Sequence, residues 1–380
     1  MMKPLFNGTQ LASQDSLAAM LGVTTERLNK IVLSIPKSYK SFNIETGKNK
    51  KVRTLFEPKK GLKHIQKKIN KEIFENVNYP NYLHGGLKER DYVSNAGTHA
   101  GKKTIISLDI ENFYPSISKR DILNIFKNMM RFSPSISETL TELVTLDGKL
   151  PQGACCSSYI ANLIFFNDEH NIVRKINNMG MNYTRLLDDV TISSDKKLSK
   201  EEETKAITTV VGMINRHRLS LNDAKTVIEK SDHPNSKLHV TGLWVKHKTP
   251  KINKENRRYI RYLVFICEKE SAVDRTSTEY HTLWNKASGK VAQMSRVGHE
   301  QSVELREKLG KILPLYDEFK IRKIVFLANN YIKNFSLPLS EEQVSKVNKI
   351  IYDVGIVGRS NKKLSNELRK KLRSILPKDA

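Results

Sequence analysis

Along residues 14–35 the apolar positions Leu17, Leu21, Leu28 and Ile31 fall on roughly one helical face. Within them, residues 17–31 (LAAMLGVTTERLNKI) have the layout of a helix-turn-helix with its turn at Gly22-Val23-Thr24, or of two helices packed in a larger domain. Basic residues cluster from Lys48 to Arg53, which predicts a loop or hairpin; Pro58 follows, then a helix over about 62–74. Gly85-Gly86 marks a turn. The apolar run 104–109 (TIISLD) predicts a buried strand that ends in an acid. A helix is expected from about Lys119, with Asp121 near its start, then a loop at 148–153 (GKLPQG) and a long helix over 157–176. Residues 183–194 (YTRLLDDVTISS) predict a hairpin with two acids at its tip, 201–216 a helix and 238–246 (LHVTGLWVK) a strand. Beyond that the pattern is helical. Strands interleaved with helices in this way predict an α+β fold, an antiparallel sheet covered on one face by helices.

Composition adds a partner class. The 380 residues carry 65 Lys and Arg against 40 Asp and Glu, a net charge of +25. Residues 241–380 hold 29 basic against 15 acidic side chains, so the last third is the densest positive region. Such an excess points to a polyanion, and nucleic acid is the commonest one. The three cysteines, Cys155, Cys156 and Cys267, have no zinc-type spacing and suit a reducing compartment. No apolar run reaches membrane-spanning length, and residues 1–10 lack a signal-peptide layout, so a cytoplasmic location is expected.

The candidate chemistry lies in carboxylates. Phosphoryl transfer from a nucleotide uses two divalent cations about 4 Å apart, held by acids on rigid elements. Asp109 closes a buried strand, and Asp188-Asp189 occupy a hairpin tip. Adjacent aspartates alone are most often a solvated turn; the ordered set is what carries weight. The segments 108–117 (LDIENFYPSI), 150–162 (LPQGACCSSYIAN), 185–192 (RLLDDVTI), 219–228 (LSLNDAKTVI) and 240–245 (VTGLWV) resemble, in order, the five palm motifs of reverse transcriptases. Asn95-Ala96-Gly97-Thr98-His99 fits the NAxxH pattern of the retron enzymes of that family, and Val240-Thr241-Gly242 fits their VTG triplet.

The resemblance implies a right-hand polymerase: interleaved fingers and palm over 1–240, a basic helical thumb over 241–315 that binds RNA and heteroduplex, and a C-terminal extension over 316–380. It implies metal ligation by Asp109, Asp188 and Asp189 with the backbone of Ile110. The cofactors would be two Mg²⁺ ions, with Mn²⁺ as an alternative. Lys225 would approach and protonate the leaving pyrophosphate. Lys51 and Arg53, on a fingers strand (51–58, KVRTLFEP), would clamp the triphosphate beside Ile110, Gln152 and Gly153. Tyr114 would lie under the incoming sugar and exclude a 2′-hydroxyl. Asn95, His99, Val240, Thr241, Gly242, Arg257, Arg258 and Arg261 are assigned to RNA binding. Retron membership implies further partners. These are a cognate structured noncoding RNA primed from a guanosine 2′-hydroxyl, its single-stranded DNA product, deoxynucleoside triphosphates, and an effector protein encoded nearby for defence against phage.

The chain departs from the family pattern twice. Leu186-Leu187 replace the usual Tyr-Ala before the two acids, so a packing hydroxyl near the primer end is lost. Cys155-Cys156-Ser157-Ser158 stand where a Pro-Thr-Ser-Pro run is usual, which predicts a less restrained loop. Another bacterial defence-associated or intron-related reverse transcriptase, and a catalytically silent RNA-binding scaffold, are the alternatives.

Overall fold

The computed structural model describes residues 3–46, 51–232, 237–334, 339 and 341–376, the side chains of Thr46, Lys51 and Glu341 excepted. The chain divides into two compact units, 1–251 and 252–380. The first is built on a five-stranded sheet in the order Leu83–His84, Met181–Leu186, Asp189–Ser194, Thr104–Asp109, Val227–Lys230. All pairings are antiparallel except that of Leu83–His84 with Met181–Leu186.

Alternation gives the sheet two unlike faces. Ile106, Leu108, Tyr183, Val190 and Ile192 are buried in the main core, with helices packed over them. Arg185 shares that face by register and is fully buried. The opposite face is largely polar yet also buried: Thr184, Thr191 and Ser193, with Ile105 beside them, are at most 3% exposed. The segment that follows the short helix Tyr92–Thr98 covers it. His99 joins Ser193 Oγ through Nδ1 at 2.7 Å and Thr184 Oγ1 through Nε2 at 2.7 Å, and Thr184 Oγ1 donates to Asn95 Oδ1 at 2.6 Å.

Local chemistry sets the other elements. Residues 14–35 form two helices, Gln14–Leu21 and Thr25–Leu33. Gly22, left-handed at φ 74°, closes the first, and Thr24 caps the second. Their Leu17, Leu21 and Leu28 belong to the main core, so the packed-pair reading describes them. The basic cluster from Lys48 lies partly outside the described residues, but its flanks form a long hairpin, Tyr39–Thr46 with Lys51–Pro58. Ser118 and Asp121 form a capping box at the start of Lys119–Asn124.

Two expected elements differ. The helix over 157–176 is two, Ser157–Leu163 and Glu169–Asn178. The strand over 238–246 is a small hairpin, His239–Val240 with Leu243–Trp244, turning on Thr241 (φ 48°) and Gly242 (φ 82°). This hairpin belongs with the first unit: Gly101 N–H donates to Val245 O at 2.7 Å and Thr241 Oγ1 to Tyr92 O at 3.0 Å. Residues 241–251 therefore group with what precedes them, not with the helices after them.

In the second unit Lys254–Val273, Thr278–Arg296 and Gln301–Lys311 pack on one another, as do Glu318–Lys333, Glu341–Val357 and Lys362–Ser374. The latter three bury Ile324, Ala328, Val347, Val354, Leu368 and Leu372 in a core of their own.

The buried His99 tests the polar face. Burial lowers its pKa to about 3, so it is neutral in the folded chain and protonates in the unfolded one below about 6.5. Its contribution is complete above pH 6.5 and is lost as pH falls towards 3, at no more than about 1.4 kcal/mol per pH unit. His99→Ala is expected to cost about 2–4 kcal/mol in urea unfolding at pH 7.5, and to flatten the profile between pH 6.5 and 4.5.

Candidate active site

The acids meet because two strands end together. Asp109 is the last residue of Thr104–Asp109 and stands directly opposite Asp189, the first residue of Asp189–Ser194. Opposed residues of an antiparallel pair project to the same side, so the two carboxylates share a face. The tip between Leu186 and Asp189 is a two-residue turn, with Leu187 at φ 61°. Ile110 N–H donates to Asp188 O at 3.0 Å, which ties the tip to the chain just past Asp109. Asn222 N–H in turn donates to Asp109 O at 2.8 Å and brings in the turn Asp223–Lys225.

The electrostatics record this crowding. Asp189 is pushed up to about 6, by burial first and then by Asp188 and Asp109. Asp188 is also raised, chiefly by burial, with Asp109 adding to it. Lys225 and Arg53 oppose both shifts, so the cation of the Lys51–Pro58 strand is felt at the tip. Lys225 Nζ donates to both oxygens of Asp109, at 3.0 and 2.8 Å. Among the described residues no three His, Cys, Asp or Glu side chains are gathered into a metal-binding set. The donor chemistry nevertheless fits a hard divalent cation: carboxylate oxygens from the ends of adjacent strands, gathered on one face.

The remaining candidates surround this cluster. Tyr114, on the short helix Phe113–Ser116, is half-buried; its hydroxyl is raised by burial, bonds Ser158 and feels the Asp188 charge. Gln152 O accepts from Phe56 N–H at 2.8 Å, so the 148–153 loop is bonded to the Lys51–Pro58 strand. Gly153 (φ 105°) comes so near that a Cβ there would meet Phe56 O at 3.3 Å. Arg53 is half-buried, while the side chain of Lys51 lies outside the described residues. Ile110 is 1% exposed.

The expected slack in the 154–158 loop is corrected. Helix Lys60–Glu72 replaces the missing prolines: Gln66 Oε1 accepts from Cys155 N–H at 3.2 Å, Asn70 Nδ2 donates to Cys155 O at 2.9 Å, and Cys156 Sγ donates to Gln66 O at 3.3 Å. Burial pushes both thiols up, away from the reactive thiolate.

The RNA-binding set divides. Asn95 and His99 are fully buried and Val240 is 1% exposed, so none of the three offers a side chain to RNA. That assignment is corrected: their bonds and packing hold the polar face and the small hairpin together. Thr241 is half-buried on Tyr92 O, and Gly242 is exposed. On helix Lys254–Val273, Arg258 and Arg261 are exposed, and Arg257 is half-buried against His299 at 3.4 Å.

Residue-pattern reasoning passed over the support beneath the tip. Arg185 Nε and Nη2 bind both oxygens of Glu169, at 2.6 and 2.8 Å, inside the core. A charged residue amid the apolar positions of a buried strand was the available signal.

The chain is similar to known proteins as follows. The reverse transcriptase (RNA-dependent DNA polymerase) family matches residues 35–266. The chain is 60% identical over 377 residues to the retron Se72 reverse transcriptase of Salmonella heidelberg (strain 579083-10), covering 99% of this chain and 100% of that protein. It is 30% identical over 352 residues to the retron Ec48 reverse transcriptase of Escherichia coli, 88% of this chain and 84% of that one. A solved telomerase of Candida albicans, bound to a fragment of telomeric RNA, aligns over 92% of this chain and 68% of that chain with a TM-score of 0.40 and 11% identity. Members of the matched family use divalent metal ions, an RNA template and deoxynucleoside triphosphates. The chain belongs to the retron-type reverse transcriptases and is an RNA-directed DNA polymerase.

Proposed function

We propose that this chain copies part of a cognate structured noncoding RNA into single-stranded DNA that stays joined to the RNA through a guanosine 2′-hydroxyl. With an effector protein encoded nearby, the product serves in defence against phage, in the cytoplasm. The observation that carries the catalytic reading is the register of Asp109 opposite Asp189, with Asp188 tied in by Ile110. Full-length likeness to retron enzymes supports the RNA-linked product.

In this reading the hairpin Tyr39–Thr46/Lys51–Pro58 belongs to the fingers, the five-stranded sheet is the palm, the helices from Lys254 form the thumb, and 316–380 is a C-terminal helical extension. Asp109 and Asp188, with Asp189 beside them and the Ile110 backbone, would hold the divalent cations. Two Mg²⁺ ions, with Mn²⁺ as an alternative, would lower the pKa of the attacking hydroxyl and neutralise charge on the pyrophosphate. Arg53 and Lys51 grip the triphosphate from the fingers strand. The Gln152–Gly153 backbone lies along the nucleotide, where glycine permits close approach. Tyr114 sits under the sugar. Lys225, now paired with Asp109, donates its proton to the departing pyrophosphate.

The thumb reading rests on one helix face. Arg258, Arg261, Tyr262, Phe265 and Lys269 recur at helical spacing on Lys254–Val273 and are all exposed, Tyr262 at 57% and Phe265 at 49%. Cations that meet phosphates beside rings that stack on bases suit RNA.

Three outcomes test this. Expressed with its flanking DNA, the wild type gives a short DNA band on a denaturing gel that shifts after RNase or debranching treatment; Asp188→Asn with Asp189→Asn loses it by at least about 100-fold. DNA free of any RNA linkage would mean a reverse transcriptase of another kind. Tyr114→Ala raises incorporation of ribonucleotides relative to deoxynucleotides by about 10-fold or more, read in single-nucleotide extension. Arg258→Ala with Arg261→Ala weakens RNA binding and lowers the slope of log affinity against log salt by about 1–2.

A further inference from the structure

Arg185 occupies an unusual position for a guanidinium. It is fully buried on the apolar face of the sheet, three residues before Asp188, with its charged group 5.0 Å from the centre of the Phe165 ring. All five of its N–H groups are used. Nε and one Nη2 hydrogen go to Glu169, and the other Nη2 hydrogen goes to Asn162 O at 2.9 Å. Nη1 donates to Ala161 O and to Leu187 O, both at 3.0 Å.

Those acceptors link two parts of the proposed site. Ala161 and Asn162 lie in the last turn of helix Ser157–Leu163, where carbonyls lack helical partners. The same helix starts directly after the Gln152–Cys156 loop. Leu187 is the strained residue of the hairpin tip, at φ 61°, and its carbonyl is the one that leads into Asp188. A left-handed backbone at leucine relaxes unless something holds it. Ionic pairing with Glu169 alone would not account for the arrangement, since a buried ion pair is a poor stabiliser beside an apolar replacement. Three of the five bonds go instead to main-chain oxygens of the tip and the helix.

We propose that Arg185 is a positioning residue for polymerisation: by holding Leu187 O to the end of helix Ser157–Leu163, it keeps Asp188 and Asp189 aligned with Asp109 and with the Gln152–Gly153 loop. Glu169, itself bonded by Tyr183 Oη at 2.8 Å, fixes the guanidinium in turn. The proposal rests on the reading of Asp188 and Asp189 as cation ligands. Activity that survived Asp188→Asn with Asp189→Asn would refute that reading separately.

Arg185→Lys keeps the charge opposite Glu169, but an ammonium has three donors at one point and cannot span Glu169, the helix end and Leu187 together. The full-length chain is assayed on a homopolymeric RNA template with a DNA primer, titrating MgCl₂ and dTTP. RNA affinity and the thermal midpoint are measured alongside. The expected result is a folded, RNA-binding Arg185→Lys with KM for dTTP within about 2-fold of wild type, kcat lower by about 10-fold or more and half-saturating Mg²⁺ raised about 3-fold or more. Arg185→Gln with Glu169→Gln removes both charges at once and is expected to show the same split. A folded variant with wild-type kcat and Mg²⁺ dependence overturns the proposal. So does a loss of kcat that merely follows the unfolded fraction, or failure of both variants to fold, because Arg185 would then serve the core and nothing else.

Discussion

The register between Thr104–Asp109 and Asp189–Ser194 is the constraint on which the rest depends. A slip of one residue would turn every side chain of one strand to the other face. If Thr104–Asp109 moved, Ile106 and Leu108 would leave the core; if Asp189–Ser194 moved, Thr191 and Ser193 would enter it; in either case Asp109 would no longer face Asp189. Both faces resist such a slip. One is mostly apolar, with Arg185 bonded at fixed points, and the other offers hydrogen bonds at fixed points through His99. The acids stay close, despite repelling each other, because the register of the sheet beneath them sets Asp109 opposite Asp189.

Much of this was legible in the chain. An apolar run ending in Asp109 reads as a buried strand, and Asp188-Asp189 between two apolar stretches read as a hairpin tip, so the site's centre follows from local pattern. Gly22 and Thr24 announced the helix break, since each residue does there what its backbone or side chain favours. The break between Leu163 and Glu169 was not legible, because Ile164, Phe165 and Phe166 continue an apolar helical pattern. The Thr241–Gly242 turn was hidden for the opposite reason. A β-branched residue is a poor choice for positive φ, and its hydroxyl is bonded to the distant Tyr92 carbonyl.

The family motifs were informative about membership and less so about side-chain direction. Asn95 and His99 mark the NAxxH pattern, yet both point inward, into the polar face. A motif read without its neighbours does not tell a packing residue from a contact residue. The Cys155-Cys156 departure teaches the same lesson. Loss of proline suggested a looser loop, whereas Gln66 and Asn70, far away in the chain, tie it down. In each case the deciding partner lies many residues away, where periodicity and turn rules do not reach.

The Thr241 turn also bears on the order in which the chain assembles. Its backbone is strained and its hydroxyl is bonded to Tyr92, which precedes it by 149 residues. A two-strand ribbon this short has little stability alone, and the strain removes some of that. Closed, the hairpin is bolted to helix Tyr92–Thr98. During synthesis that helix emerges long before its bolt does, so the polar face of the sheet stays without its hairpin until the last part of the first unit has been made. The VTG hairpin thus fastens the last-made part of the first unit to a helix made 149 residues earlier.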